Sequence, residues 1–150
     1  MAGFRNPSRD AIDALLRSIR TVAVVGISAN AFRPSHEVAR GLQRFGYRIV
    51  PINPSVEQVL GERCWPSLEA AVRGLGGESP PADTCIDLVD VFRSPEHVPA
   101  IVNDCIRLKL RALWLQDGII NEEAATRAQS AGILTVMDRC LHRDRAMLAA

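Results

Sequence analysis

Residues Thr21–Arg33 read TVAVVGISANAFR, and this stretch decides the fold. Thr21–Val25 is an apolar run of strand length, and Gly26 ends it in a tight turn. Helical spacing begins after Ser35. A strand, a turn opening on glycine and a helix start form a concave cradle of backbone N–H groups, which suits a phosphate. The glycine pattern of nicotinamide and flavin sites, G-x-G-x-x-G, is not met, because Gly26, Ser28 and Ala31 fill its three positions. The acid that would hold a ribose hydroxyl near the end of the second strand is also missing. Pro51-Ile52-Asn53-Pro54 stands there instead. The stretch points to a pyrophosphate ligand and away from NAD.

The same rhythm continues on both sides. Ile12, Leu15, Leu16 and Ile19 recur at helical spacing, with Ser8 as N-cap and Asp10 in the first turn. A second helix runs from Ser35 to about Phe45, with Val38, Leu42 and Phe45 on one face and Gly46 after its end. Arg48–Ile52 reads as the next strand, Val59–Cys64 as a short edge strand, and Ser67–Arg73 as a helical turn. Gly74–Asp83 is loop-like. Cys85–Phe92 is a strand, and Ser94-Pro95-Glu96 supplies an N-cap, an N1 proline and a first-turn acid for the helix of Val98, Ile101, Val102 and Cys105. Ala112–Leu115 and Ile133–Met137 are strands, separated by a helix that starts at Asn121-Glu122-Glu123 and ends at Gly132. Apolar strands with little alternation, interleaved with helices, predict an α/β fold with a doubly wound, mostly parallel sheet in three layers.

At 150 residues, one domain over 1–150 is expected, with about 68–70% of the unfolded surface buried. A formal charge of +1 gives no reason to expect nucleic acid or an anionic membrane as partner. No apolar run approaches the ~18 residues of a membrane span. The charged N-terminus does not read as a secretory signal. Cys64, Cys85, Cys105 and Cys140 form no C-x-x-C pair, so zinc and thioredoxin-type chemistry lack support. Cys85 and Cys105 read as buried hydrophobes, and this cysteine usage fits a reducing cytoplasm.

In a doubly wound sheet the ligand lies at the carboxyl ends of the strands. Gly26 and Ser28 have two readings there, an anion cradle or an ordinary strand–helix turn. Arg33 is within reach of a phosphate or is a solvated surface residue. Arg93 clamps phosphate through paired hydrogen bonds, or else pairs with Asp90, Glu96 or Asp117. Asn53 presents its amide to an adenine or ribose, or forms a rigid turn. Cys140 emerges at the same edge as a redox-sensitive thiol, with Arg139, Arg143 and His142 to favour its thiolate, or it is a structural cysteine. His36 and His97 fall in first turns of helices, where a positive charge is disfavoured, and read as partly exposed and neutral. The three histidines have no metal-ligand spacing, and no catalytic triad or carboxylate pair stands out.

Taken in order, TVAVVGIS, RPSHEVA, YRIVPINP, GERCWPSL, DLVDVFRSPEHVP, ALWLQDGIINEEAA and VMDRC resemble the small, free-standing CoA-binding proteins. These are similar in turn to the N-terminal CoA-binding domain of the succinyl-CoA synthetase α subunit. The resemblance runs from about Ile19 to about His142. It implies a Rossmann-like fold with CoA at the carboxyl edge of the sheet. By position, Gly26-Ile27-Ser28 and Arg33 would face the diphosphate and the 3′-phosphate end. Asn53-Pro54 would flank the adenosine, Phe92-Arg93 would wall the site, and Leu115-Gln116 and Gly118 would line the path of the pantetheine arm. The insert Gly74–Pro81 is longer than usual for such proteins. The synthetase's phosphohistidine domain and β subunit have no counterpart, so its ligase activity is not transferred.

The expectation is a cytoplasmic protein that binds CoA or a short acyl-CoA, a binding protein rather than an enzyme, with any protein partner unassigned. The alternatives are a nucleotide-dependent enzyme, a partner-completed acyl-CoA transferase and a regulatory module.

Overall fold

Each buried apolar run becomes a strand, and each amphipathic run becomes a helix laid on the sheet. The computed structural model describes residues 3–76 and 86–148. The first half of the chain forms α1 (Arg9–Ser18), β1 (Thr21–Val25), α2 (Pro34–Arg44), β2 (Arg48–Ile52), β3 (Gln58–Val59), β4 (Glu62–Arg63) and α3 (Leu68–Gly76). The second half forms β5 (Leu88–Val91), α4 (Val98–Arg107), β6 (Ala112–Leu115), α5 (Glu122–Ser130), β7 (Leu134–Met137) and α6 (Leu141–Ala146). The five-stranded sheet runs β2-β1-β5-β6-β7, and all its pairings are parallel. Strand order reverses between β1 and β5, which opens a crevice beyond their carboxyl ends.

Both faces of the sheet are covered, as the lack of alternation predicted. Ala23, Val50, Val89 and Leu113 pack against α3, α4 and α5, while Val22, Val24, Ile49 and Trp114 pack against α1, α2 and α6. Fully burying a Val or Leu side chain contributes about 1.5–3 kcal/mol, so these two cores are what hold the three layers together. Ser8 caps α1 by accepting from the Ala11 N–H at 3.1 Å. The side chain of Asn6 exchanges two hydrogen bonds with the Met137 backbone (3.0 and 2.8 Å), covering part of the β7 edge.

Several boundaries differ from the sequence reading. The predicted strand over Val59–Cys64 is instead an antiparallel hairpin, β3 with β4, outside the main sheet. Its turn residues Leu60 and Gly61 both have positive φ (54° and 75°), the geometry that suits a two-residue hairpin. Gly74 and Gly76 belong to α3, so the helix runs into the predicted loop, whose remaining residues lie outside the described residues. β5 begins at Leu88, and Cys85 also lies outside the described residues. Pro95–His97 is a 3-10 turn that precedes α4. Pro99 has no N–H to donate to the Pro95 carbonyl, which accepts from Val98 and from Asn121 Nδ2 instead. Ser94 makes no backbone cap and donates to Glu96 Oε1 at 3.0 Å.

Candidate functional site

The strand ends at the crevice are drawn together by Gly26. Its φ is +88°, and its N–H donates to the Ile52 carbonyl at 3.0 Å. A Cβ at this position would stand 2.5 Å from the Phe92 carbonyl and 2.9 Å from Arg93 Cδ. The glycine therefore admits the end of β5 and the arginine stem as well as the turn itself.

The loop after Gly26 is organised by its own polar groups. The Ser28 N–H donates to Ser35 Oγ (2.9 Å), and Ser28 Oγ accepts from the Asn30 N–H (3.0 Å). The Ser28 carbonyl faces His36 Nδ1 at 3.0 Å. Both N–H groups that the sequence reading placed in the anion cradle, those of Gly26 and Ser28, thus have protein acceptors. Among the described residues the N–H groups of Ile27, Ala29 and Ser35 have no protein acceptor; Ala29 is exposed, whereas Ser35 is buried and Ile27, expected to face the diphosphate, is wholly buried. His36 is buried, contrary to expectation, because the first turn of α2 folds it against that loop. His97 is exposed as expected. Arg33 is an exposed N-cap residue whose carbonyl accepts from His36 and Glu37. Its guanidinium makes no ion pair among the described residues.

Asn53 ties two strand ends together. Its Nδ2 donates to the Ile27 carbonyl at 2.8 Å and its Oδ1 accepts from the Ser55 N–H at 2.8 Å. The amide serves the rigid-turn reading, and Asn53 and Pro54 still line a cavity of about 210 Å³ with Gly26, Ser67, Arg93 and His97.

A larger cavity of about 650 Å³ lies on the other side of Arg93. Phe92, Ser94 and Pro95 line it from the segment after β5, Gln116–Ile119 from the loop after β6, Pro34 and Val38 from α2, and Cys140 from the turn after β7. Arg93 borders both cavities. Of the acids offered as its partners, Asp117 pairs with Arg143 at 2.9 Å and Glu96 accepts from Ser94. Arg93 makes no ion pair among the described residues, so its guanidinium remains available to a ligand anion. The carboxyl of Glu96 is held below the usual range, first by its own backbone N–H and then by the Ser94 hydroxyl.

Gln116 is 4% exposed, and its Oε1 accepts from the Leu141 N–H at 3.1 Å. Gly118 has φ +79°, and its N–H donates to Asp138 Oδ1 at 2.7 Å. Leu115, expected on the ligand path, is wholly buried in the core on the α3–α5 side. Cys140 is half-buried, but the cations expected beside it are occupied. Arg139 makes two hydrogen bonds to Asp144 (2.6 and 2.8 Å), Arg143 pairs with Asp117, and His142 rests on Phe45 with ring centroids 5.2 Å apart.

Sequence reasoning placed Asp117 at a ligand-bearing strand end but missed Pro34, Val38, Ser94, Pro95 and Ile119 as cavity walls. Val38 lies on the apolar face of α2 as expected, half-buried against the core, and lines the cavity as well, whereas Phe45, expected on the same face, is exposed. It also missed the state of Asp90, which sits wholly buried between Val24 and Trp114 with no hydrogen-bond partner for either oxygen. Burial pushes its carboxyl well above the ordinary carboxylate range. The available signal was one acid inside the apolar run Leu88–Phe92.

The chain is similar to known proteins over nearly its whole length. The family described as CoA binding domain matches residues 20–145. The uncharacterized protein YneT of Bacillus subtilis (strain 168) is 33% identical, over 92% of this chain and 94% of that protein. A hypothetical protein from Pyrococcus horikoshii OT3 is 30% identical with a TM-score of 0.81, over 99% of both chains. A dinucleotide-forming acetyl-coenzyme A synthetase of Ca. Korarchaeum cryptofilum shares the fold at 21% identity and a TM-score of 0.63, over 89% of this chain and 30% of that one. Fold, strand-end turns and family match agree: the chain belongs to the CoA-binding domain family.

Proposed function

We propose that this protein binds CoA or a short acyl-CoA at the carboxyl edge of the sheet, in the cytoplasm and without ligase chemistry of its own. The observation that carries the reading is Arg93, an arginine without an ion pair among the described residues that borders both cavities at the switch point. A ligand with a compact anionic end and a long amide arm matches two cavities that meet at one guanidinium. The Ala29 N–H and Arg33, both exposed, would meet the diphosphate and the 3′-phosphate. Pro54 would flank the adenosine, and Phe92, Gln116 and Gly118 would border the pantetheine arm. The free thiols of Cys64, Cys105 and Cys140 accord with a reducing compartment. Among the described residues no helix is long and apolar enough to cross a membrane.

Calorimetry with CoA, acetyl-CoA, NAD and ATP tests the reading. CoA or acetyl-CoA is expected to bind most tightly, and tighter binding of NAD would refute it. Arg93→Ala and Arg33→Ala are each expected to weaken CoA by roughly ten- to a hundredfold, the equivalent of a charge-assisted hydrogen bond of about 1.5–3 kcal/mol. Pantetheine, which lacks the nucleotide, should lose much less. Equal losses for the two ligands would move the arginines away from the phosphates.

A further inference from the structure

We propose that Cys140 is a thiol–disulfide exchange site, at which the protein takes up CoA from CoA disulfide as a mixed disulfide. The inference rests on the CoA reading above and adds a redox-dependent, covalent state to the same cavity. Two independent features converge there. Cys140 lines the cavity of about 650 Å³ at its β7 end, half-buried and so open to a ligand. The second feature is the amide of Gln116, which lines the same cavity while its side chain is nine-tenths buried. The Leu141 N–H holds Gln116 Oε1, so the amide NH2 points the other way. Among the described residues that NH2 has no acceptor. The NH2 is open to the cavity, where the amide carbonyls of a pantetheine arm would accept from it. An arm held there brings its sulfur-bearing end into the cavity that Cys140 borders.

The other described thiols are poorly placed for this chemistry. Cys105 is wholly buried, and burial pushes its thiol up to about 12. Cys64 is buried, raised by burial, and directed at the Asn53 carbonyl at 3.6 Å. Around Cys140, Arg139 and Arg143 are already paired with Asp144 and Asp117, so no strong cationic activation is available. Selectivity for CoA disulfide then comes from holding the disulfide beside the thiol.

The exchange balances without an external oxidant. The Cys140 thiol loses its proton to solvent, and its sulfur attacks one sulfur of CoA disulfide. The disulfide bond of that molecule breaks as the Cys140–CoA bond forms. The departing CoA thiolate takes up a proton and leaves as reduced CoA.

Intact mass measurement after incubation with CoA disulfide tests the proposal, with glutathione disulfide at equal concentration for comparison. One reducible CoA adduct is expected on the wild type and on Cys64→Ser, and none on Cys140→Ser. It should form at least tenfold faster than the glutathione adduct and slow in the presence of desulfo-CoA. Calorimetry with reduced CoA on the wild type and Cys140→Ser shows whether each folds and binds. Binding of reduced CoA without an adduct overturns the exchange and leaves the CoA reading intact. No binding of reduced CoA rejects both. An adduct that survives in Cys140→Ser, or forms equally fast from glutathione disulfide, also overturns the proposal.

Discussion

Gly26→Val is expected to abolish CoA binding and to cost about 2–5 kcal/mol of stability. Two terms add. Positive φ of +88° costs an L-residue roughly 1–2 kcal/mol, and the β-branch stiffens the backbone further. Overpacking adds about 1–3 kcal/mol, because the new Cβ would stand 2.5 Å from the Phe92 carbonyl, a backbone atom that cannot rotate away. Relief requires the ends of β1 and β5 to separate, which also moves Arg93 from its place between the cavities. Gly118→Ala provides the contrast. Its φ is +79°, but nothing lies within 4 Å of the added Cβ, so only the backbone term remains. Urea midpoints and calorimetry on both variants check the pair. A Gly26→Val protein as stable as Gly118→Ala, with CoA affinity retained, would contradict the packing argument.

Asp90 sets an unusual pH dependence. Its folded pKa is raised well above the unfolded value by burial, so the native state holds a proton that the unfolded chain releases. Its contribution is therefore most favourable below the unfolded pKa, near 3.9, and is lost as pH rises towards the folded pKa. The loss runs at about 1.4 kcal/mol per pH unit across that window. Asp90→Asn keeps the shape and cannot ionise. Relative to wild type it should gain about 1.4 kcal/mol per pH unit from roughly pH 4 up to the folded pKa and nothing further beyond it, read from urea midpoints at successive pH values. Parallel pH profiles for the two proteins would mean that Asp90 is solvated or paired in solution.

Much of the fold was legible because local signals agreed with the tertiary structure. β1, β2 and β6 match their predicted limits, since each is an apolar run closed by glycine, proline or polar residues. The order of strands along the chain also carried the parallel architecture. What failed were properties that depend on which face a residue occupies. Along β6, Leu113 and Leu115 point to one core while Ala112 and Trp114 point to the other, and no polar residue within Ala112–Leu115 marks the difference. The family resemblance put Leu115 at the ligand path, and nothing in the run itself marked it as a core residue. His36 was read as partly exposed because its place in a first turn does not reveal the loop that its Nδ1 meets at the Ser28 carbonyl. Asn53 was correctly placed at a strand end, but its hydrogen bonds to Ile27 and Ser55 join residues that only the fold brings together.

The most direct measurement is an amide chemical-shift titration of the labelled protein with reduced CoA. Shifts are expected to concentrate on Gly26–Arg33, Asn53, Arg93 and Gln116–Gly118, the loops at the carboxyl ends of β1, β2, β5 and β6. They should saturate together with one affinity. The opposite edge provides an internal control, because Arg17, Arg20, Tyr47 and Arg145 border a separate cavity of about 350 Å³ that could also attract an anion. Shifts confined to the carboxyl edge would match the proposed site. Shifts clustered around Arg20 and Arg145, or none at saturating CoA, would contradict it.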